Sequence, residues 1–562
     1  MLLLSTRIRV MKNRIKYLLV FFAFCCNSPV VAQDDLSRLI KAQDDIDKSI
    51  RQKNKVAKKD VFSNSDDNRV SALALPLETH CVEIKEVVIE DNFMKGAFFE
   101  KIKTNVAGRC LGSVGIETLA RDLQDYMIKS GYVTSRVELP DQDLSSKKLV
   151  LRVIPGRIER VVIKEHNIIE WILPFKANDI LNIRDIEQGL EVLQRAPDLN
   201  VKVNIEPGNK NSYSNVIINT SGKKNWNAKT WLNNWGDKST GKILAGGAVY
   251  SYNQAKMNDI FYVSGTTNTE RVNGGYKNFS TYYSVPNGYW DYELFYSNSE
   301  SKQKIGDEVL DLKYIGKSQY ISLKGSRIVY RDQDKKVAAS AELSKRKVNY
   351  TLNDIQLELQ KREMTNVKFG LNYKQNFNGS ALDTTASYQR FLPWLGAEET
   401  PDMKSGDVSS KNHIFNLDLN YIKLLNIKPI NAYYDAKLGS QYSPGALTLQ
   451  DQLSIGNRWS VRGFENSAEL NGDKGFHIQN NFNIITGISN IEWYLGVDYG
   501  QIWGDVYPVG VYNKKNLLGT ATGLKGNINS LGYDFSLSAP LTYPKELALD
   551  KLNINFSIYH QL

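Results

Sequence analysis

"NIEWYLGVDYGQ", residues 490–501, alternates between apolar and polar or small side chains from Ile491 onward. Successive side chains of a strand point to opposite faces. Ile491, Trp493, Leu495, Val497 and Tyr499 therefore share one face, and Glu492, Tyr494, Gly496, Asp498 and Gly500 the other. FNLDLNY at 415–421 obeys the same rule, with Phe415, Leu417, Leu419 and Tyr421 opposing Asn416, Asp418 and Asn420. So does LNINFSIYHQL at 552–562, where only His560 interrupts the apolar face, and WNAKTWLN at 226–233, where the exception is Trp231. A period of two fits a soluble sandwich as well as a membrane barrel. Three features favour the barrel: aromatics crowd the strands as interfacial girdles require, the chain ends on an alternating strand, and the 337 residues from Trp226 to Leu562 carry almost no helical pattern. At roughly 21 residues per strand and connection, with about 10 in the membrane, that length predicts about 16 strands. A wet interior also suits Asp498, which would be costly toward lipid but can pair in a lumen.

The beginning of the chain agrees with export. Met11–Lys16 carries three positive charges, Tyr17–Cys26 is an apolar run of ten, and Val30-Val31-Ala32 offers small residues for cleavage. Residues 1–32 thus read as a secretory signal peptide, too short in its apolar run to span a bilayer as a helix. Cys25 and Cys26 leave with it, so the mature chain keeps Cys81 and Cys110, an even pair expected to form one disulfide. The formal charge of +10 could suggest nucleic acid or anionic lipid, but the chain is exported and its lysines are scattered along the sequence rather than bunched, which speaks against that reading.

Residues 33–60 carry a thin stripe of Leu36, Leu39, Ile40, Ile46 and Ile50 among charges, which fits either a solvated or coiled-coil helix or a helix lodged in a wet cavity. Residues 61–76 read as a linker. From Cys81 the order is strand (VEIKEVVIE), helix (AFFEKIKTNV), helix (GIETLARDLQDYMIKSG), strand (YVTSRVELP), strand (KLVLRVIPG). It recurs after Gly156 as IERVVIKE, WILPFKANDILN, IRDIEQGLEVLQRAP, NVKVNIEPG and SNVIINTSG. Two tandem α+β modules are expected, at 77–155 and 156–222, followed by the barrel at 223–562.

Taken together, the sequence resembles the two-partner secretion transporters of the haemolysin activator and filamentous haemagglutinin transporter type, which include the transporters of contact-dependent inhibition systems. The matching residues are Cys81, GRCL at 108–111 and GYVTSRVELPDQDL at 131–144 in the first module, and NIRDIEQGLEVLQR at 182–195 and IEPG at 205–208 in the second. In the barrel they are SIGNRWSVRGF at 454–464, YLGVDYG at 494–500 and GLKG at 523–526. The resemblance implies a mainly β protein with α+β modules: a plug helix at 33–60, two periplasmic POTRA domains and a 16-stranded transmembrane β-barrel in the outer membrane. It implies a large secreted partner protein, moved unfolded to the cell surface without ATP, together with outer-membrane lipid and, during biogenesis, the barrel assembly machinery. Leu562 departs from the Phe that ends many such barrels.

The stretch LSIGNRWSVRGFENSAELNGDKG at 453–475 is a long polar loop with an arginine between Val461 and Gly463. Gly463 lets the backbone bend, Val461 and Phe464 can pack against a wall, and a guanidinium donates bidentately to a carboxylate. The loop is expected to fold back into the lumen and pair Arg462 with Asp498, flanked by Gly496 and Gly500, which agrees with the family motifs. In the first module Tyr132, Arg136 and Gln142 are candidates for contact with the partner protein, alongside sheet edges that bind an extended chain backbone first. Gly236–Lys242 imitates a phosphate loop, but Ile243 replaces the required hydroxyl and a strand follows. His80, His166, His413, His477 and His560 lack metal-ligand spacing, and no G-x-S-x-G elbow occurs. A transporter with no cofactor, not an enzyme, is the reading; an outer-membrane assembly factor and a passive porin are its competitors.

Overall fold

The computed structural model describes residues 75–94, 96–164, 168–196, 199–222, 225–270, 274–305, 312–427, 429–464, 469–488, 490–504, 515–547 and 549–562. The expected signal peptide and plug helix, and the linker up to residue 74, lie outside these residues.

The first module packs helices α1 (Ala97–Val106) and α2 (Ser113–Lys129) on a sheet ordered Glu86–Glu90, Lys148–Ile154, Arg136–Glu138. Helix α2 places Ile116, Leu119, Ala120, Leu123 and Met127 at the i, i+3, i+4 spacing that makes one apolar face, and Leu119, Leu123 and Met127 are buried against Ile102 and Leu149. Its N-cap is Gly112, which has no side chain to cap with. Glu78 supplies the cap from 34 residues upstream, accepting from the Gly112 N–H (2.8 Å), the Gly115 N–H (2.8 Å) and the Val114 N–H (3.1 Å). Desolvation pushes the Glu78 pKa up, but these three donors outweigh it and leave the carboxyl below its ordinary range. Cys81 and Cys110 form the expected disulfide, with Cα atoms 5.2 Å apart, beside the paired segments Val82–Ile84 and Arg109–Leu111.

The second module sets helix α3 (Ile183–Leu193) on a sheet ordered Arg157–Lys164, Tyr213–Ser221, Asn200–Pro207. Asn182 caps α3, its side chain accepting from the Arg184 N–H at 2.8 Å. The helix expected over 171–182 is absent: a single 3-10 turn, Glu170–Ile172, stands there. Pro174 explains the difference, since a proline lacks the N–H a helix needs and drives the preceding residue, here Leu173, into extended backbone. The segment reaches the barrel instead. The Ile169 N–H donates to the Lys256 carbonyl (2.9 Å) and the Gly288 N–H to the Ile172 carbonyl (2.7 Å).

The rest is a closed antiparallel barrel of sixteen full strands, from Trp226–Asn233 to Asn553–Gln561, with a two-residue hairpin extension at Ile355–Gln356. The last strand closes on the first from Ser557↔Asn233 to Gln561↔Lys229, and the Leu562 N–H adds a bond to the Ala228 carbonyl (2.9 Å). Side chains sort as in no soluble protein: Leu294, Leu323, Phe369, Leu417, Leu495, Val497 and Ile554 are exposed on the outside, while Ser264 and Ser280 bond each other at 2.6 Å on the buried inner face. Trp231 breaks its strand's alternation because it turns into the lumen and lies over Gly246, where a Cβ would be 2.4 Å from the indole. Short turns face module 2, and the long connections 393–413 and 443–473 lie at the opposite end.

Module 2 is seated on those turns. Asn258 donates to the Val192 and Leu193 carbonyls (2.5 and 2.9 Å), Arg195 reaches Asp291 (3.1 Å), and the Tyr289 hydroxyl donates to Asp185. Glu191 on α3 accepts from Arg331 (2.6 Å) and Lys336 (2.5 Å) of the barrel. Burial works to raise the Glu191 pKa, but the two cations overcome it and hold it at about 2, against its ordinary 4.5. A carboxyl depressed on folding stabilises fully above its unfolded pKa and loses that contribution as pH falls through the folded one. The contribution of Glu191 to the docking of module 2 is therefore expected to hold down to about pH 4.5 and to be lost between there and about pH 2. The distance distribution between one spin label on α3 and one on the barrel checks this; broadening already near neutral pH would contradict it.

Candidate functional site

The loop 443–473 leaves the eleventh barrel strand (Ile430–Tyr442) and returns to the twelfth (Lys474–Ile485). Leu453–Ile455 and Leu470–Gly472 pair within it as a small antiparallel ladder, Leu453↔Gly472 to Ile455↔Leu470. Asp473 fixes its base, accepting from the Leu447 N–H (2.8 Å) and the Gln452 amide (3.1 Å). Asn457 and Ser460 shape the approach to Arg462: Asn457 accepts from the Trp459 N–H (3.0 Å), and the Ser460 hydroxyl accepts from the Gly456 N–H (3.1 Å).

Arg462 meets Asp498 as expected. Its Nε donates to Asp498 Oδ2 (2.6 Å), its Nη2 to Oδ1 (2.7 Å), and its own backbone N–H to Oδ2 (3.1 Å). The Nη2 also donates to Asn481 Oδ1 (2.8 Å), and the guanidinium lies 5.8 Å from the centre of the Tyr494 ring. The Asp498 side chain is 0% exposed and that of Arg462 11%, so the pair is shielded from water. Asp498 belongs to the thirteenth strand, Ile491–Trp503, whose alternation turns Tyr494, Gly496, Asp498 and Gly500 inward and Trp493, Leu495 and Val497 outward.

The neighbours of Arg462 act through shape. Val461 and Phe464 are fully buried with Ile455, Leu470, Ile502, Leu517 and Leu547. Gly463 has φ +100°, and a Cβ there would come within 2.5 Å of the Ala539 carbonyl carbon. A Cβ at Gly496 would lie 2.3 Å from Arg462 Nη2, and one at Gly500 2.8 Å from the Val461 side chain. The wall is thus carved to the loop.

Five further residues that the sequence did not single out complete the site. Gly519, in the fourteenth strand Asn516–Ile528, makes room for the loop backbone: a Cβ there would stand 1.8 Å from the Arg462 carbonyl oxygen. Asn553 donates to the Gly463 carbonyl (2.8 Å). Asn481 ties Arg462 to Asp435, its amide donating at 3.0 Å, and Asn483 donates to the other Asp435 oxygen at 2.6 Å. Lys525, inside the GLKG motif, continues the line to Asn483 (3.0 Å) and Glu492 (3.5 Å). Lumen-facing polar alternation in HIQNNFNII was the available signal for Asn481, but many inward positions are polar, and only the loop's position selects this one.

The three candidates in module 1 are placed differently. Gln142 bonds both backbone groups of Val150, accepting at 2.7 Å and donating at 2.9 Å. Tyr132 stacks edge-on against Phe93, with ring centres 4.9 Å apart. Arg136 is exposed on the outer strand of the sheet. At the other edge, Glu86–Glu90 has a strand neighbour on one side only among the described residues. A groove of about 810 Å³ runs between it and α1, lined by Lys85, Val87, Ile89, Phe99, Glu100 and Lys103 among others.

Comparison with known proteins agrees with this architecture. The family described as haemolysin secretion/activation protein ShlB/FhaC/HecB matches residues 212–526, more than half the chain. A POTRA domain of the ShlB type matches 82–156 and a further POTRA domain 157–207. The outer membrane transporter CdiB-2 of Burkholderia pseudomallei is 27% identical over 515 residues, covering 87% of each chain. The hemolysin transporter protein ShlB of Serratia marcescens is 25% identical over 441 residues, 77% of this chain and 78% of its own. In fold, CdiB from Acinetobacter baumannii matches with a TM-score of 0.83 and CdiB from Escherichia coli with 0.81, each at 23% identity and covering 94% of this chain and 98% of the other. With a pinned lumen loop, two POTRA modules and a closed barrel on one chain, the protein belongs to the ShlB/FhaC/HecB family of haemolysin secretion/activation proteins, the outer-membrane transporters of two-partner secretion.

Proposed function

We propose that the chain carries one large exoprotein, unfolded, from the periplasm through its lumen to the cell surface, and that the loop pinned by Arg462 holds the pore at rest. In this reading residues 1–32 are removed on export, residues 33–60 plug the barrel, and the protein works by transport rather than catalysis. The client is captured first by module 1, whose outer strand Glu86–Glu90 can add a strand of extended polypeptide while the adjoining groove receives alternate side chains. Arg136 and Tyr132 contribute from the matched stretch, with Gln142 setting the sheet they rest on. The client in this reading is a large exoprotein of the cytolysin, adhesin or inhibition-toxin kind.

The observation that carries the proposal is the site itself, a shielded bidentate pair between a buried loop and the wall of a polar-lined barrel. A solute pore has no need of the modules, so deletion of 81–222 tests the reading. Secretion of a co-expressed exoprotein is expected to fall at least roughly a hundredfold, while the shortened barrel still inserts, shows heat-modifiable migration and conducts ions. Export at the full-length level by that variant would sink the proposal.

A further inference from the structure

On the outer surface of the barrel, the fifth strand (Trp290–Ile305) presents, from the module end upward, Trp290, Tyr292, Leu294 and Tyr296, then Asn298, Glu300, Lys302 and Lys304. Ten residues of strand measure about 33 Å and, tilted by about 40°, rise about 25 Å, the height of an apolar band. Glu300 and the lysines beside it therefore stand at the outer boundary of the membrane. Three ammonium groups converge on that one carboxylate: Lys302 at 3.1 Å, Lys277 of the fourth strand at 3.3 Å and Lys317 of the sixth at 3.7 Å. Glu300 is 15% exposed, whereas Lys277 and Lys317 are 66% and 62% exposed.

The same sorting repeats on the seventh strand (Lys335–Leu352), where outward Leu343 gives way to Lys345 and Lys347, both beside Glu363 at 2.6 and 3.7 Å. Each carboxylate is outnumbered by its cations. Across the barrel, the corresponding outward positions are Phe415, Tyr442, Phe476 and Trp503; within the outer ends of the tenth to sixteenth strands Lys474 is the one lysine among the described residues, and Lys411, Lys515, Lys545 and Lys551 stand in the connections beyond them. Among strand residues at the outer end, the carboxylate-centred lysine clusters thus gather in one sector, above an apolar belt.

We propose that this sector binds the phosphorylated head group of an outer-leaflet lipid, with Lys277, Lys302 and Lys317 as its phosphate ligands and the acyl chains against Phe279, Leu294 and Ile321. The inference rests on the outer-membrane reading and adds a specific site to it. Lysine clusters at a membrane surface attract anionic head groups, and charge on a barrel's outer wall costs least at the interface. Free phosphate would satisfy the ammonium groups but not the adjoining belt.

The test titrates the purified full-length protein, in dodecyl maltoside, with micelles of lipid A and with micelles of its dephosphorylated form. Wild-type protein is expected to prefer lipid A, and the triple variant Lys277→Gln/Lys302→Gln/Lys317→Gln to bind it roughly 10- to 100-fold more weakly. Replacement of Lys545 and Lys551, exposed in the loop before the last strand, is expected to change nothing. Equal binding of lipid A by wild type and triple variant, equal binding of the two lipids by wild type, or displacement of lipid A by millimolar inorganic phosphate would overturn the site. Heat-modifiable migration of each variant reports separately on the barrel, so loss of the lipid site and failure of the outer-membrane fold are told apart.

Discussion

Arg462→Ala is expected to abolish export of the partner protein while leaving a barrel in the outer membrane. The alanine removes the guanidinium and strands a fully buried carboxylate, since Asp498 is 0% exposed. Breaking a buried pair from one side costs about 3–5 kcal/mol, whereas replacing both partners by apolar groups can be nearly neutral. The pair therefore specifies the position of the loop more than it stabilises it. Burial of Val461 and Phe464, at roughly 1.5–3 kcal/mol each, supplies most of the attraction. In the variant the loop keeps an apolar seat, yet the charge beneath it must find water, and the register that Gly463, Gly496 and Gly519 are shaped to receive is lost. Arg462→Lys is expected to rescue poorly, because an ammonium cannot make the fork to both Asp498 oxygens and reach Asn481 as well. Barrel insertion should persist, since the ladder of strands does not depend on the loop. Heat-modifiable migration and surface detection of the client read the two effects apart, and wild-type export by Arg462→Ala would remove the loop from the mechanism.

Much of this was legible in the residues. Strict alternation at 491–500 places Asp498 inward because a strand offers only two faces, and the same logic places the outer face of the last strand against lipid. The pairing of Arg462 with Asp498 was reachable because a buried carboxylate needs a cation and the loop carries one between residues suited to a turn. Other features were illegible for physical reasons. The helix expected at 171–182 failed because Pro174 outweighs the apolar spacing and because the barrel turns at 253–259 and 288–289 offer the segment partners that no local pattern reveals. Gly519 is a glycine only because another segment passes within contact distance of it. The lysines read as scattered, being 25 residues apart in the case of Lys277 and Lys302, and only the strand register gathers them around Glu300.

Transport requires a polypeptide to pass through the lumen, and Leu417 and Asp418 offer adjacent positions that test this passage. They follow each other on the tenth strand (Ile414–Ile427), Leu417 pointing to lipid and Asp418 into the open interior, both exposed. A photoreactive residue placed at each, with a client stalled in transit by a folded domain at its C-terminal end, measures where the chain runs. Passage through the lumen gives capture of the client from position 418 and none from 417, a difference only the two faces of one strand can produce. Capture from 417 at the same yield, or from neither while the client still reaches the surface, would contradict it.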